Sequence, residues 1–218
     1  MASSDPPSLG VVAASAQDLA VDVAPLRARA SGPPDPTAGA LSAAMDRYAD
    51  GDDAAFSEIY DLLAPRLYGF LMRQTRDPSR AEDILQQTFL QIHSARGRFI
   101  RNAEVLPWAF AITRRLVIDG LRRRRQEVSL PGDSADDDGG ELSVEGRADE
   151  VLHAKQLGSR LEGGLAGLPE NQRAAFELVK LEGLSYREAA DVLGATVSAV
   201  KVRVHRAGLV LGDLLHEV

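Results

Sequence analysis

The chain contains no cysteine, which excludes disulfides and thiolate zinc sites. Its four histidines, His93, His153, His205 and His216, are scattered without ligand spacing, so no metal centre is expected. Aromatic residues make up only 5 % of the chain, which limits how many bases it could stack upon. No apolar run approaches the roughly 20 residues of a membrane span. The N-terminus lacks a basic segment followed by an apolar one, so no secretory signal is expected. A cytoplasmic protein without membrane insertion is the resulting expectation. No stretch alternates as a β-strand does, no internal repeat is visible, and no nucleophile–base pair or glycine-rich phosphate cradle appears. These absences point away from an enzyme and from any cofactor.

What the chain does have is charge, unevenly placed. The net charge is −7 over 218 residues, an unpromising total for a nucleic-acid binder until it is mapped. From Trp108 to Gln126 there are six Arg against one Asp, whereas from Glu127 to Glu150 there are nine Asp or Glu against one Arg. A basic segment therefore sits beside an acidic one, and partner arguments follow the local balance. The composition divides the chain in four. Residues 1–44, rich in Ala, Pro, Ser and Gly with SGPPDP at Ser31–Pro36, are expected to form a disordered extension, with a short helix at Ala14–Ala24 only weakly signalled. Residues 45–126 and 151–218 read as two helical units, and residues 127–150 read as a flexible acidic linker. The expected fold is all-α, with two small helical domains.

In the first unit, Phe56, Ile59, Tyr60, Leu63, Leu67, Phe70 and Leu71 recur at helical spacing. Pro65 falls inside that pattern and is expected to kink or divide the helix. Asp77-Pro78 is a helix start, with Asp as cap and Pro in the first turn. Ala81, Ile84, Leu85, Thr88 and Ile92 then share one stripe, which leaves Glu82, Gln86 and Gln87 outside it for a partner. After a loop marked by Gly97 and Asn102, Pro107 opens a third helix that ends in Arg122–Arg125. Trp108, Arg115 and Arg122 lie seven apart on one line of it, suited to stacking on a base and neutralising phosphates. Closure of the core by Trp108, with solvated arginines beside it, fits the same spacing.

The second unit carries the sharpest pattern. Leu168-Pro169 starts a helix and Gly183 follows its end. Ser185 and Glu188 form an S-x-x-E capping box for the next helix, whose Ala189, Ala190, Val192 and Leu193 are apolar. Gly194 marks a turn, and Thr196 caps a further helix. There Val197, Val200 and Val204 face inward while Ser198, Lys201, Arg203 and Arg206 face outward. An apolar inner stripe under a basic, hydroxyl-bearing outer one is what a major-groove recognition helix needs. A helical hairpin with a solvated charged face has the same pattern.

Taken together, DPSRAEDILQQTF (77–89), WAFAITRRLVIDGLRRRR (108–125) and the segment 168–207 resemble an extracytoplasmic-function (ECF) sigma factor of the sigma-70 family. The likeness covers nearly all of residues 50–125 and 155–215. It implies an alternative sigma factor that binds core RNA polymerase and directs it to promoter DNA. It implies that Glu82, Asp83, Gln86, Gln87, Phe89 and Leu90 dock on core polymerase; the family pattern has Glu at position 87 and an aromatic at position 93, where this chain has Gln87 and His93. The loop Arg96–Leu106 with Trp108, Arg114, Arg115 and Arg122 would bind the −10 element, where a flipped base enters a pocket. Phe99, Trp108 and Phe110 are the few rings in this segment that could offset unstacking, so weak melting power is expected. Arg173, Tyr186, Arg187, Ser198, Lys201, Arg203 and Arg206 would bind the −35 element. An anti-sigma protein is a further implied partner.

Two competitors remain at this point. A conventional helix-turn-helix regulator accounts for residues 184–207 but leaves the AEDILQQTF and Trp-Arg helices without a role. An interaction protein that keeps the fold and sequesters a partner would lack promoter-directed transcription. The acidic linker reads either as a soluble tether or, as the resemblance implies, as a mimic of nucleic acid in the polymerase RNA path. The extension 1–44 is expected to be dispensable.

Overall fold

A computed structural model describes residues 36–101, 103–128 and 150–216. Among these the only regular elements are helices: α1 (Pro36–Ala49), α2 (Ala55–Thr75), α3 (Pro78–Ala95), α4 (Val105–Val128), α5 (Glu150–Gly167), α6 (Glu170–Phe176), α7 (Tyr186–Leu193) and α8 (Val197–His216), with a 3₁₀ turn at Arg96–Arg98 and a π turn at Glu177–Leu181. The all-α class read from the sequence holds. The expectations for residues 1–35 and for nearly all of the acidic linker lie outside the described residues.

The first unit packs α1–α4 around a main apolar cluster and a smaller one of Leu71, Ala81, Ile84 and Val117. Its first helix begins at Pro36, so the boundary expected at Met45 is corrected. Leu41, Ala44, Met45 and Tyr48 are all buried, and their spacing of three, one and three places them on one helical face. That face offsets the ordering entropy that the Ala-rich composition alone would not. Pro65 does not divide α2, which runs unbroken from Ala55 to Thr75. Ile59, Leu63, Leu67, Phe70 and Leu71 are buried along it as their period required. In α3, Asp77 accepts the Arg80 backbone N–H at 3.2 Å with Pro78 in the first turn, as the start signal indicated. Thr88 donates its hydroxyl to the Ile84 carbonyl at 2.8 Å, which lets a polar residue sit in the core.

In the second unit the Ser185–Glu188 capping box is complete. The Glu188 N–H donates to Ser185 Oγ at 3.2 Å, and the Ser185 N–H donates to Glu188 Oε2 at 2.7 Å. Gly194 closes α7 at φ +58°, a left-handed position that glycine adopts without Cβ strain. Thr196 Oγ1 then accepts the Ala199 N–H at 3.2 Å to start α8. Ser185→Ala is expected to cost about 1 kcal/mol of stability, read as a lower denaturation midpoint in urea with an unchanged slope.

The two units are in direct contact. A single hydrophobic core joins Val105, Trp108, Ala109 and Ile112 around α4 to Leu178, Leu184, Ala189 and Ala190 around α7.

Candidate functional site

Three surfaces carry the side chains that the sequence singled out. The first is the outer face of α3. Glu82, Asp83, Gln86, Gln87 and Leu90 are exposed on it, and Leu90 is 62 % accessible. Phe89 is not on that surface: it is 5 % accessible, with its ring 4.7 Å from Tyr60 and edge-on to Phe56. Tyr60, half exposed beside it, presents the ring that the sequence reading assigned to Phe89. This face combines carboxylates and amides with one large exposed aliphatic, Leu90.

The second surface is α4. Arg115 and Arg122 are exposed, and Arg115 lies 3.9 Å from Asp119 one turn on. Trp108 and Arg114 lie elsewhere. Trp108 is 2 % accessible, with its ring 5.2 Å from that of Phe99. Phe110 is fully buried, edge-on to Phe70 at 5.3 Å. The three rings expected to stack on opened DNA are thus all in the core. The reason is local: at the N-terminal end of α4 the apolar arc runs through Trp108, Ala109, Phe110 and Ile112, wider than a strict stripe. Arg114 is 8 % accessible. Burial pulls its guanidinium below the ordinary range, opposed by Glu170 and reinforced by Arg203.

The third surface is the helix-turn-helix. Ser198, Lys201 and Arg206 are exposed along α8, Arg203 is half-buried, and Arg187 is exposed at the start of α7. Lys201 Nζ lies 5.9 Å from the centre of the Tyr186 ring, which joins the two helices of the motif. Arg173 departs from its expected place on the phosphate backbone. It is 9 % accessible and its charge acts on Glu177.

Sequence reasoning missed a buried ionic cluster between the units. Arg66 Nε lies 3.2 Å from Glu182 Oε2, and its guanidinium also donates to the Glu182 carbonyl. Arg73 Nη2 lies 3.0 Å from Glu182 Oε1, and its Nε lies 3.5 Å from Glu177 Oε1. Gln74 Nε2 donates to Glu177 Oε2 at 2.7 Å. Arg76 adds a hydrogen bond to the Ala166 carbonyl at 2.8 Å. The π turn makes the arrangement possible. Residues five apart in an α-helix point about 140° away from each other. Here the Glu182 N–H bonds to the Glu177 carbonyl at 2.9 Å, so the two glutamates stack on one side. Nothing in the sequence signals that turn.

An all-α chain with a capped helix-turn-helix and a separate polar helical face belongs among DNA-directed regulators. Comparison with known proteins narrows this. Residues 59–127 match the Sigma-70 region 2 family and residues 160–207 the Sigma-70 region 4 family. The chain is 32 % identical over 182 residues to RNA polymerase sigma factor CarQ of Myxococcus xanthus, covering 80 % of this chain and 97 % of that one. It is 36 % identical over 168 residues to ECF RNA polymerase sigma factor SigF of Caulobacter vibrioides, covering 77 % and 89 %. Among solved structures, sigma factor RpoE in complex with the anti-sigma factor NepR, from Bartonella quintana, aligns with a TM-score of 0.62 at 26 % identity, over 74 % of this chain and 97 % of that one. CnrH, in complex with the cytosolic domain of CnrY, shares the fold at a TM-score of 0.58 and 22 % identity, over 81 % and 97 %. The chain belongs to the ECF sigma factors of the sigma-70 family. It is an alternative sigma factor acting in transcription initiation, and not an enzyme. No described helix is long and apolar enough to cross a membrane.

Proposed function

We propose that the chain binds core RNA polymerase through the outer face of α3 and reads promoter DNA through α4 and α8. Glu82, Asp83, Gln86, Gln87 and Leu90 form the polymerase-facing row, with Tyr60 as a neighbour. Arg115 and Arg122 engage phosphates of the −10 region. Ser198, Lys201, Arg203 and Arg206 face the −35 element, with Tyr186 and Arg187 on its backbone. Phosphate contacts set the register and a few side chains of α8 specify bases. The protein acts in the cytoplasm, and an anti-sigma protein is a partner, as for the RpoE relative. The observation that carries this reading is the exposed basic and hydroxyl-bearing face of α8 on a chain that also exposes the α3 row. A duplex-binding regulator needs only the former.

Titration of the labelled protein with core polymerase tests it. Saturable binding is expected, and Leu90→Lys is expected to weaken it by about 2 kcal/mol, the cost of losing an interface anchor. Absence of binding by the folded protein would favour the regulator. Arg203→Ala is expected to weaken −35-dependent binding of the holoenzyme by about 1–3 kcal/mol. Unchanged affinity would remove Arg203 from the DNA surface.

A further inference from the structure

We propose that Asp50 and Asp53, in the turn between α1 and α2, are positioning residues for the Arg96–Arg101 loop that precedes α4. They fix its two ends, so that Arg98 and Ile100 face the −10 element in one arrangement. This rests on the reading of that loop and α4 as the −10 surface.

Three observations carry it. First, both ends of the loop are tied to the same turn. Arg96 Nη1 donates to Asp53 Oδ1, and Arg101 Nη2 donates to Asp50 Oδ1. The Arg96 guanidinium also lies 5.1 Å from the centre of the Tyr48 ring, and the Tyr48 hydroxyl hydrogen-bonds with His93 Nδ1. A buried ring of α1 and the last turn of α3 thus back the first tie. Second, the turn is itself held. The Asp52 N–H donates to the Arg47 carbonyl at 3.0 Å, and Asp52 Oδ1 accepts the Ala54 N–H at 3.1 Å. Asp52 is spent inside the turn, which leaves Asp50 and Asp53 for the loop. Third, an anchor lies between the ties. Phe99 is buried against Trp108, whereas Arg98 and Ile100 on either side of it are exposed. With the loop held at Arg96, Phe99 and Arg101, the side chains left to face a base are those of Arg98 and Ile100.

The ties add little to the stability of the whole fold. The Asp53 and Arg101 side chains are 78 % and 66 % accessible, and exposed ion pairs are weak. Their effect is local: a loop ordered before DNA arrives loses less entropy on binding and meets the strand in one shape. Arg96 and Arg101 are therefore struts, their charges already met by carboxylates.

Hydrogen exchange of the free chain reads the ties without DNA. The Phe99 N–H donates to the Arg96 carbonyl at 3.2 Å and the Ala103 N–H to the Ile100 carbonyl at 3.1 Å. In Asp50→Asn with Asp53→Asn these two amides are expected to exchange about threefold to tenfold faster, with the urea midpoint of the chain nearly unchanged. Glu58→Gln, whose partner Arg47 lies outside the loop, should leave both amides as they are. Arg101→Asp should speed them, and adding Asp50→Arg to it should restore them.

The promoter arm uses the holoenzyme on a template recovered by run-off transcription of a genomic library, and on the same template with its −10 element scrambled. The double variant is expected to lose at least about threefold in the ratio of transcripts from the two, as the competent loop shape becomes a minority. Its binding to a random-sequence duplex should hold or tighten, because two negative charges have left the DNA-facing surface. The charge swap should recover the ratio. Unchanged exchange in the double variant would overturn the ties. Faster exchange with an unchanged ratio would overturn positioning, and so would a fall in both the ratio and duplex binding, which reports general damage. A ratio that the swap leaves low despite restored exchange would make Arg101 a DNA contact instead of a strut. A holoenzyme that yields no starts on any template would strike the −10 assignment itself, and the inference with it, whatever the exchange shows.

Discussion

Trp108→Ala is expected to lower the unfolding free energy by about 3–5 kcal/mol, the cost of emptying a large aromatic site in a packed core. The indole is 2 % accessible, lies against Phe99, and sits among the residues that join α4 to α7. Truncation removes its buried surface and leaves a void that Ala109 and Ile112 cannot fill without shifting the helix. Equilibrium urea unfolding checks the figure, with Trp108→Phe expected to recover much of the loss because a ring still meets Phe99. A loss below 1 kcal/mol, together with defective promoter opening, would return Trp108 to the DNA surface. Under the proposed reading of α4, burial of Phe99, Trp108 and Phe110 leaves strand capture to its exposed arginines.

Glu177→Gln is expected to stabilise the protein above neutral pH by up to about 3 kcal/mol and to flatten its pH profile. The carboxyl is fully buried. Arg73, Gln74 and Arg173 favour its charged form and Glu182 opposes it, but desolvation outweighs them and pushes the group up to about 7. An ordinary glutamate titrates at 4.5, and a shift of that size corresponds to about 3 kcal/mol. Below the ordinary value both the folded and unfolded chains hold the proton. Between the two values only the folded chain does, so this contribution to stability is lost as pH rises through about 7. Glu104, raised by its own burial and by Glu188, leaves a smaller slope of the same sign in the variant. Thermal unfolding at pH 5 and pH 8 measures both. A wild-type midpoint that rises with pH, or a variant less stable at pH 8, would contradict the account of Glu177.

Much of this was legible in the sequence because it is written in local rules. The Asp77 cap, the Ser185–Glu188 box, the Gly194 turn and the buried stripes of α2 and α3 need only near neighbours to be read. The start of α1 could also have been found. Asp35-Pro36 repeats the Asp77-Pro78 signal, and Leu41, Ala44, Met45 and Tyr48 hold helical spacing inside a stretch whose composition reads as unfolded. Pro65 does not divide α2, because tertiary burial on both sides of it outweighs the lost hydrogen bond. Trp108 and Arg115 share a helical line, yet one is buried and the other exposed. Periodicity gives the face but not where along the helix a neighbour ends. Arg114, Arg173, Glu177 and Glu182 were beyond reach for a different reason. Their partners lie up to 116 residues away, and the π turn that aligns the glutamates has no signature of its own.

As a sigma factor, this chain confers promoter recognition on RNA polymerase. The most direct test is run-off transcription from a fragmented genomic library, with core polymerase in the presence and absence of the protein. New, discrete start sites that share spaced −35 and −10 elements are expected. Binding to core without any new start would contradict it and leave a sequestering protein that has kept the fold.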